Sequence, residues 1–112
     1  MNNKINFIPE GSVTTPAGFK AAGITAGLKK SGNPDMALIV SDIPAAAAGT
    51  FTTCKFAAAP VQICKKRIAS GKLMRGVIVN SGNANACTGA QGLQDAETMC
   101  AITARELGIT AE

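Results

Sequence analysis

The stretch from Gly76 to Gly92, GVIVNSGNANACTGAQG, most restricts how this chain can fold. It begins as a short apolar strand, and three asparagines and a glycine then fall between Asn80 and Asn85. A simple turn needs fewer residues of this kind, so a cluster this dense indicates a loop whose backbone shape is closely specified. The chain is therefore expected to place a strand before this loop and a new element directly after it.

A helix is predicted after the loop. Thr88 and Gln91 have the spacing of a capping box, in which the two side chains bond each other's free backbone N–H groups. Apolar residues then recur at helical spacing at Leu93, Ala96, Cys100, Ala104 and Leu107. Gly108 is expected to end this helix in the left-handed conformation that glycine adopts easily.

A second helix is predicted from Pro60 to Ser70. Proline suits the first turn of a helix because its missing N–H would have no partner there, and Gly71 can close the other end. The expected buried face consists of Val61, Cys64 and Ile68. The cations of Lys65 to Arg67 fall on the other face or near the end, where they suit the helix dipole.

Strands are predicted over Ala21–Leu28, Met36–Ser41 and Val77–Val79. The segment between the first two is rich in turn residues and favours a hairpin. Ala46–Thr53 is a further candidate strand, although its alanines could instead begin a short helix. The resulting order, strands followed by helix, strand and helix, indicates an α/β fold.

Composition restricts the class of protein. Hydrophobic residues make up 46% of the 112 residues, but aromatics only 4%, which favours closely packed layers of small side chains. No apolar run approaches the roughly 20 residues that span a bilayer, and no secretory signal is evident. The expectation is one domain in the cytoplasm, without a membrane partner.

The net charge of +4 is concentrated at Lys29–Lys30 and Lys65–Arg67. A nucleic-acid site would need a recognisable binding motif or interleaved aromatic residues, and neither is present. Both groups are therefore interpreted as solvated surface clusters, and no nucleic-acid partner is expected.

The cysteines Cys54, Cys64, Cys87 and Cys100 form no C-x-x-C pair, and the chain has no histidine, so no metal site is predicted. Most of them are expected to be small buried apolar groups. Cys87 is an alternative nucleophile because it precedes a helix start, where a thiolate is stabilised. It lacks a histidine to act as its base.

The carboxylates show no catalytic pairing in the sequence. Asp95 and Glu97 are too close along the helix to share a face. Glu106 is expected in solvent, and Asp35 and Asp42 are expected to be turn residues flanking a strand. No catalytic residue is therefore predicted within this chain.

Two interpretations of the asparagine-rich loop stay open. Gly82 and the asparagines can adopt positive φ, and the side-chain amides can satisfy backbone groups, which would make a self-bonded connection. Alternatively, the loop is a pocket wall beside a helix N-terminus, with Asn80, Asn83 and Asn85 as candidate substrate-binding residues. No phosphate-loop or dinucleotide motif is present.

Five segments in order carry a family resemblance: Thr14–Lys29, Asp35–Asp42, Ala47–Thr53, Ala58–Ile63 and Val79–Ala96. Together they closely resemble the N-terminal part of the first, alpha, chain of the bifunctional ornithine acetyltransferase/glutamate N-acetyltransferase family of arginine biosynthesis. The most specific of them is VNSGNANACTGAQGLQDA, which contains the loop.

The resemblance implies a layered α-β-β-α sandwich of which only the N-terminal portion is present. Residues 1–12 would be an N-terminal segment, and residues 13–112 the start of the acetyltransferase domain. It implies self-cleavage into two chains that assemble as a heterotetramer of two alpha and two beta chains. An N-terminal threonine of the beta chain would take acetyl from N-acetylornithine and pass it to glutamate. It also implies no bound cofactor, with acetyl-CoA as a donor in some members.

The family's nucleophilic threonine and oxyanion-hole pair correspond to positions beyond Glu112. Neither role transfers to Thr88, Thr98, Thr103 or Thr110, so this chain alone is expected to be inactive. One departure from the family is Cys54, where an asparagine is usual. A non-catalytic ligand-binding or assembly module on the same fold is the alternative function.

Overall fold

A three-stranded antiparallel sheet and two helices make up the chain. The structure is a computed structural model that describes residues 4–111. The elements are β1 (Phe19–Ile24), β2 (Met36–Ala45), α1 (Ala59–Ala69), β3 (Met74–Asn80) and α2 (Gly89–Leu107). The strands lie in the order β1-β2-β3, so β2 is central. The predicted α/β class is confirmed.

The predicted hairpin of β1 and β2 is confirmed, with Phe19 opposite Ser41 and Ile24 opposite Met36. However, β1 ends at Ile24, well before the predicted Leu28. The reason is that the N–H groups of the following residues bond the Asp35 carboxylate instead of a neighbouring strand. The connection is therefore a wide loop in which the Asp35 carboxylate accepts three backbone N–H groups.

The predicted strand over Ala46–Thr53 is wrong, because residues 46–54 are irregular. The sheet continues instead along β2 to Ala45, with irregular pairing to β3 after Val40. Pro44 supplies no N–H to a sheet. Ala46 to Ala48 are exposed and offer little apolar surface to pack against a neighbouring strand.

The two faces of the sheet differ in what covers them. Side chains alternate along a strand, so Met36 and Ile78 point to one face, and α2 packs against this face through Ala96 and Ala104. We call the opposite side, formed by Ala37, Ile39, Val77 and Val79, the bare face. Within residues 4–111 no helix packs on it, and Val77 and Val79 are 55% and 47% exposed.

The main core lies between the helices and consists of Ala59, Ile63 and Ala96, with Leu93 packed against it. The small alanine side chains let α1 and α2 approach closely. One helical turn further along α1, Arg67 donates from Nη2 to Oε2 of Glu97 at 2.6 Å. The contact between the helices is therefore apolar at one end and ionic at the other.

The predicted buried face of α1 is wrong in detail. Ala59 and Ile63 are buried, whereas Cys64 is exposed and Val61 and Ile68 are only partly buried. The reason is that α2 meets the row of α1 that contains Ala59, Ile63 and Arg67. The neighbouring row is almost as apolar, so the sequence alone could not separate the two.

The predicted stripe of α2 is confirmed. Ala96 and Ala104 are buried, and Leu93, Cys100 and Leu107 are partly buried. Gly108 ends the helix with φ of 65°, as expected for a left-handed C-terminal glycine. No helix within residues 4–111 combines the length and the apolar character needed to cross a membrane.

The prediction that most cysteines are buried is wrong. Cys54, Cys64 and Cys87 are exposed, and Cys100 is partly buried. The exposed thiols lie in an irregular segment, on the outer side of α1 and in the loop before α2. None of the three belongs to the apolar core between the helices.

Candidate functional site

The loop between β3 and α2, which we call the asparagine loop (residues 80–88), is anchored on both sides. The Ser81 N–H donates to the carbonyl of Asp35 at 2.8 Å, at the start of β2. The Ala59 N–H, at the start of α1, donates to the carbonyl of Asn85 at 3.2 Å. The loop is therefore held between the hairpin and the first turn of α1.

Positive φ values occur at two places in the asparagine loop. Gly82 has φ of 93°, as expected for glycine in such a loop. The second is Cys87, with φ of 55°, and none of the asparagines adopts this conformation. The tolerance of asparagine for this conformation is therefore not used in the loop.

Two asparagines satisfy the loop's own backbone, as the self-bonded interpretation predicts. Asn80 donates from Nδ2 to the carbonyl of Asn83 at 3.3 Å, and Asn85 donates to the carbonyl of Gly92 at 2.7 Å. The Asn85 oxygen also accepts a hydrogen bond from the Thr88 hydroxyl. The side-chain amide of Asn83 is exposed and has no hydrogen-bond partner in the part of the chain that the structure describes.

The predicted capping box is wrong, although Thr88 is the N-cap residue of α2. The Thr88 side chain makes no bond to a helix N–H, because its hydroxyl donates to Asn85. The Gln91 amide reaches forward to Oδ1 of Asp95 at 2.8 Å rather than back to the cap. The start of α2 is thus organised by the asparagine loop.

A cleft of about 340 Å³ opens beside this loop, and we call it the asparagine cleft. Its lining residues are Leu28, Met36, Pro60, Asn80, Asn83, Ala84, Asn85, Thr88, Asp95, Ala96 and Met99. Leu28, Met36 and Met99 give it apolar surface. The asparagine side chains are short, and hydrogen bonds hold the backbone that carries them. Mixed apolar walls with a few fixed polar groups are typical of small-molecule sites.

All three asparagines named from the sequence line this cleft. Whether any of them touches a ligand stays a prediction. Cys87 does not line it and lies instead at a separate cleft with Lys55, Phe56 and Gln62. Within residues 4–111, no group of three or more metal-binding side chains is placed to hold an ion.

Asp35 is the feature of the site that the sequence interpretation missed. It is 3% exposed, and its carboxylate accepts N–H hydrogen bonds from Ala26 and Leu28 at 2.6 Å and from Lys29 at 2.8 Å. An ionised carboxylate has enough acceptor positions for all three. The only sequence signal was its place after Asn33-Pro34 at the end of a turn segment, which does not reveal the partners.

These bonds favour the charged form of Asp35. The N–H groups of Lys29, Ala26 and Leu28, together with the positive charge of Lys29, hold the pKa of Asp35 below its usual value of 3.8, although burial acts in the opposite direction. The folded protein therefore binds a proton at this group less readily than the unfolded chain does.

We expect Asp35 to make stability depend on pH in the acid range. Above the unfolded-state value of 3.8 its stabilising effect is fully present, and it is lost as pH falls through the lower folded-state pKa. The urea midpoint of Asp35→Asn should therefore lie below that of the wild type at pH 7. The two midpoints should converge as pH falls below 3.8 and through the lower folded-state pKa.

Asp42→Asn is the matched control for this measurement. Asp42 is exposed on β2, the strand that Asp35 directly precedes, and pairs with Lys20 at 2.7 Å. Exposed pairs contribute little to stability, so its midpoint should follow the wild type at every pH. A constant gap between Asp35→Asn and wild type down to low pH would contradict the role assigned to the carboxylate.

A larger cleft of about 690 Å³ lies across the outer sides of α1 and α2. Among its charged groups, the long side chains of Lys66 and Arg105 are exposed, and Arg67 is already paired with Glu97. Long exposed side chains hold a ligand poorly because they must first be ordered. The asparagine cleft is therefore the better candidate site.

The comparison with known protein families settles what kind of chain this is. The sequence profile of the ArgJ family matches residues 20–112. The chain belongs to the ArgJ family. The resemblance to ornithine acetyltransferases is thereby confirmed, since that enzyme name and the ArgJ name both occur among the solved structures it matches.

Curated ArgJ relatives are similar along most of this chain. The arginine biosynthesis bifunctional protein ArgJ 1 of Nostoc sp. is 51% identical over 102 residues, which cover 91% of this chain and 25% of the relative. The arginine biosynthesis bifunctional protein ArgJ of Bacillus anthracis is 48% identical over 105 residues, which cover 94% of this chain and 26% of the relative. The chain thus spans about a quarter of the length of these relatives.

Two solved ArgJ structures share the fold. The crystal structure of the bifunctional ArgJ protein of Bacillus halodurans matches with a TM-score of 0.85 and 44% identity, over 90% of this chain and 52% of that chain. Ornithine acetyltransferase of Mycobacterium tuberculosis, solved in complex with ornithine, matches with a TM-score of 0.82 and 46% identity. That match covers 86% of this chain and 50% of the other.

Cys54, the position at which the family resemblance implied an asparagine, lies away from the asparagine cleft. Cys54 is exposed in the irregular segment after β2, and its N–H donates to Oγ1 of Thr52 at 3.1 Å. The local backbone is therefore held by a threonine side chain, and the thiol faces solvent.

Proposed function

We propose that this chain is part of an acetyltransferase of arginine biosynthesis that moves acetyl from N-acetylornithine to glutamate. The observation that carries the proposal is the match to an ornithine acetyltransferase crystallised with ornithine, at 46% identity and a TM-score of 0.82. Acetyl-CoA is a candidate second donor of acetyl. The proposal places the enzyme in the cytoplasm.

The part of the reaction assigned to these residues is ligand binding in the asparagine cleft. The Asn83 amide offers both a donor and an acceptor, which suits an amino-acid carboxylate or the amide of an acetylated amine. Asn80 and Asn85 hold the loop by bonding its backbone and the first turn of α2. Leu28 and Met99 supply apolar surface for the aliphatic part of such a substrate.

The bond-making group is proposed to lie on a second chain produced by self-cleavage, as its N-terminal threonine. Thr88, Thr98 and Thr103 of this chain are poor candidates because their hydroxyls are engaged in local bonds. Thr88 donates to Asn85, while Thr98 and Thr103 each donate at 2.8 Å to a carbonyl one turn earlier in α2. An acetyl-threonine intermediate would then form on the second chain, in a heterotetramer of two alpha and two beta chains.

The test compares residues 1–112, the complete protein and two variants of the complete protein in a labelled-acetyl assay with N-acetylornithine and glutamate. Residues 1–112 alone should transfer no acetyl, and the complete protein should transfer it with label on a threonine. The complete protein with Asn83→Ala should show a KM for N-acetylornithine raised about tenfold, since a lost polar contact to substrate has an effect of this order. Asn6→Ala, in the exposed N-terminal segment, is the control and should leave KM unchanged.

Acetyl transfer by residues 1–112 alone would overturn the assignment of the nucleophile to a second chain. A complete protein that binds ornithine but moves no acetyl would favour the alternative, a non-catalytic binding module on the same fold. Loss of transfer in Cys87→Ser, with binding intact, would instead favour a thiol enzyme.

A further inference from the structure

Asp35 connects two loops that meet at the asparagine cleft, and we call its hydrogen bonds to them the Asp35 clamp. Its carboxylate bonds the N–H groups of Leu28 and Lys29 in the hairpin loop at 2.6 and 2.8 Å. Its own carbonyl accepts the N–H of Ser81, in the asparagine loop, at 2.8 Å. One residue therefore fixes the backbone of both loops.

The two loops also touch directly. Lys29 lies over Gly82 so closely that a Cβ added to the glycine would meet Lys29 Cγ at 2.6 Å and its backbone N and Cα at 3.5 Å. The next residue back, Leu28, lines the same cleft as Asn83. A shift of the loop between β1 and β2 would therefore have two effects. It would move Leu28, which lines the cleft, and it would disturb the asparagine loop through Lys29.

We propose that Asp35 is a positioning residue that sets the separation of the Leu28 and Asn83 walls of the asparagine cleft. This inference rests on the proposed function, in which that cleft binds substrate. Asp35 acts through the two loops and does not touch the ligand, since it is buried beneath them and does not line the cleft.

The chemistry of the clamp explains why an amide would not replace it. Asparagine has the same shape as aspartate, but one oxygen becomes an NH₂ group, which donates rather than accepts. At least one backbone N–H would then face another donor and lose its partner. The loop would relax to restore its bonding, and the lining residue on it would move.

The first test measures kinetics in the complete enzyme. Asp35→Asn should raise the KM for N-acetylornithine about five- to tenfold while kcat stays within about twofold, because binding geometry changes and the reacting groups do not. Asp42→Asn, the same change at the exposed end of the hairpin, should leave both constants unchanged. If Asp35→Asn lowers the melting temperature but leaves KM unchanged, the carboxylate is only structural and the inference is overturned.

The second test is independent of activity. Amide hydrogen exchange of residues 80–88 in the ligand-free complete protein should be about tenfold or more faster in Asp35→Asn than in wild type, and unchanged in Asp42→Asn. Should the wild type transfer no acetyl, the proposed function fails, and exchange still decides whether Asp35 holds the asparagine loop. Unchanged exchange in an active enzyme would overturn the positioning role alone.

Gly82→Ala tests the same coupling if Asp35→Asn does not fold. The added methyl group would meet Cγ of Lys29, and alanine is also strained at φ of 93°, so the contact between the two loops would be disturbed while the Asp35 carboxylate keeps its partners. We expect the same rise in KM and the same faster exchange of the loop. Normal values for both in this variant would show that contact between the two loops does not set the cleft.

Discussion

Ile63→Ala should lower the free energy of unfolding by about 2–3 kcal/mol, the lower part of the range for buried isoleucine, because the core around it is small. Ile63 is 6% exposed between α1 and α2, where its neighbours are alanines and the partly buried Leu93. These small neighbours on well-formed helices cannot close around the space that is left. Urea unfolding of the complete protein is the measurement.

Ile102→Ala is the control for this prediction. It makes the same change on α2 at a side chain that is 48% exposed, and its effect should stay below about 1 kcal/mol. If both variants lower the free energy of unfolding by the same amount, the contact between the helices does not depend on Ile63.

Gly92→Ala should destabilise the protein by about 1–3 kcal/mol, although alanine normally favours a helix over glycine by about 1 kcal/mol. A Cβ at this buried position would overlap Oγ1 of Thr88 and Oδ1 of Asn85. These are the atoms that bond each other where the asparagine loop enters α2. The substitution therefore forces apart the first turn of the helix and the loop that organises it.

The control is Gly23→Ala, in β1. A Cβ there meets nothing closer than the Met36 carbonyl at 3.9 Å, so the change should be neutral or should stabilise by about 0.5–1 kcal/mol. In the same unfolding experiment, Gly92→Ala is expected to lower the free energy of unfolding, and Gly23→Ala is expected to leave it unchanged or raise it. A stabilising Gly92→Ala would mean that Thr88 and Asn85 can move aside without loss.

The elements that the sequence predicted well are those defined by local spacing. The stripe of α2 repeats over several turns, and both Gly71 and Gly108 adopt the positive φ expected after a helix. The hairpin follows from two apolar segments around a turn-rich one. Each of these depends on residues close together along the chain.

The features that were missed depend on distant partners. The Asp35 clamp needs three N–H groups presented by a folded loop, and no spacing rule describes that arrangement. Whether Ala46–Thr53 pairs depends on a neighbouring strand, and which row of α1 is buried depends on where α2 lies. The three asparagines line a cleft, and their contact with a ligand stays a prediction. The free amide of Asn83 became apparent only from the bonds of Asn80 and Asn85.

Two valines on the bare face, Val77 and Val79, can show whether other protein covers this side of the sheet. Val77 and Val79 pack under no helix within residues 4–111, so a change from valine to threonine there disturbs almost nothing inside this unit. Any large effect of such a change in the complete protein must come from contacts that residues 4–111 do not supply. The effects of Val77→Thr and Val79→Thr on the stability of the complete protein thus distinguish a solvent-exposed sheet face from one that is covered by protein.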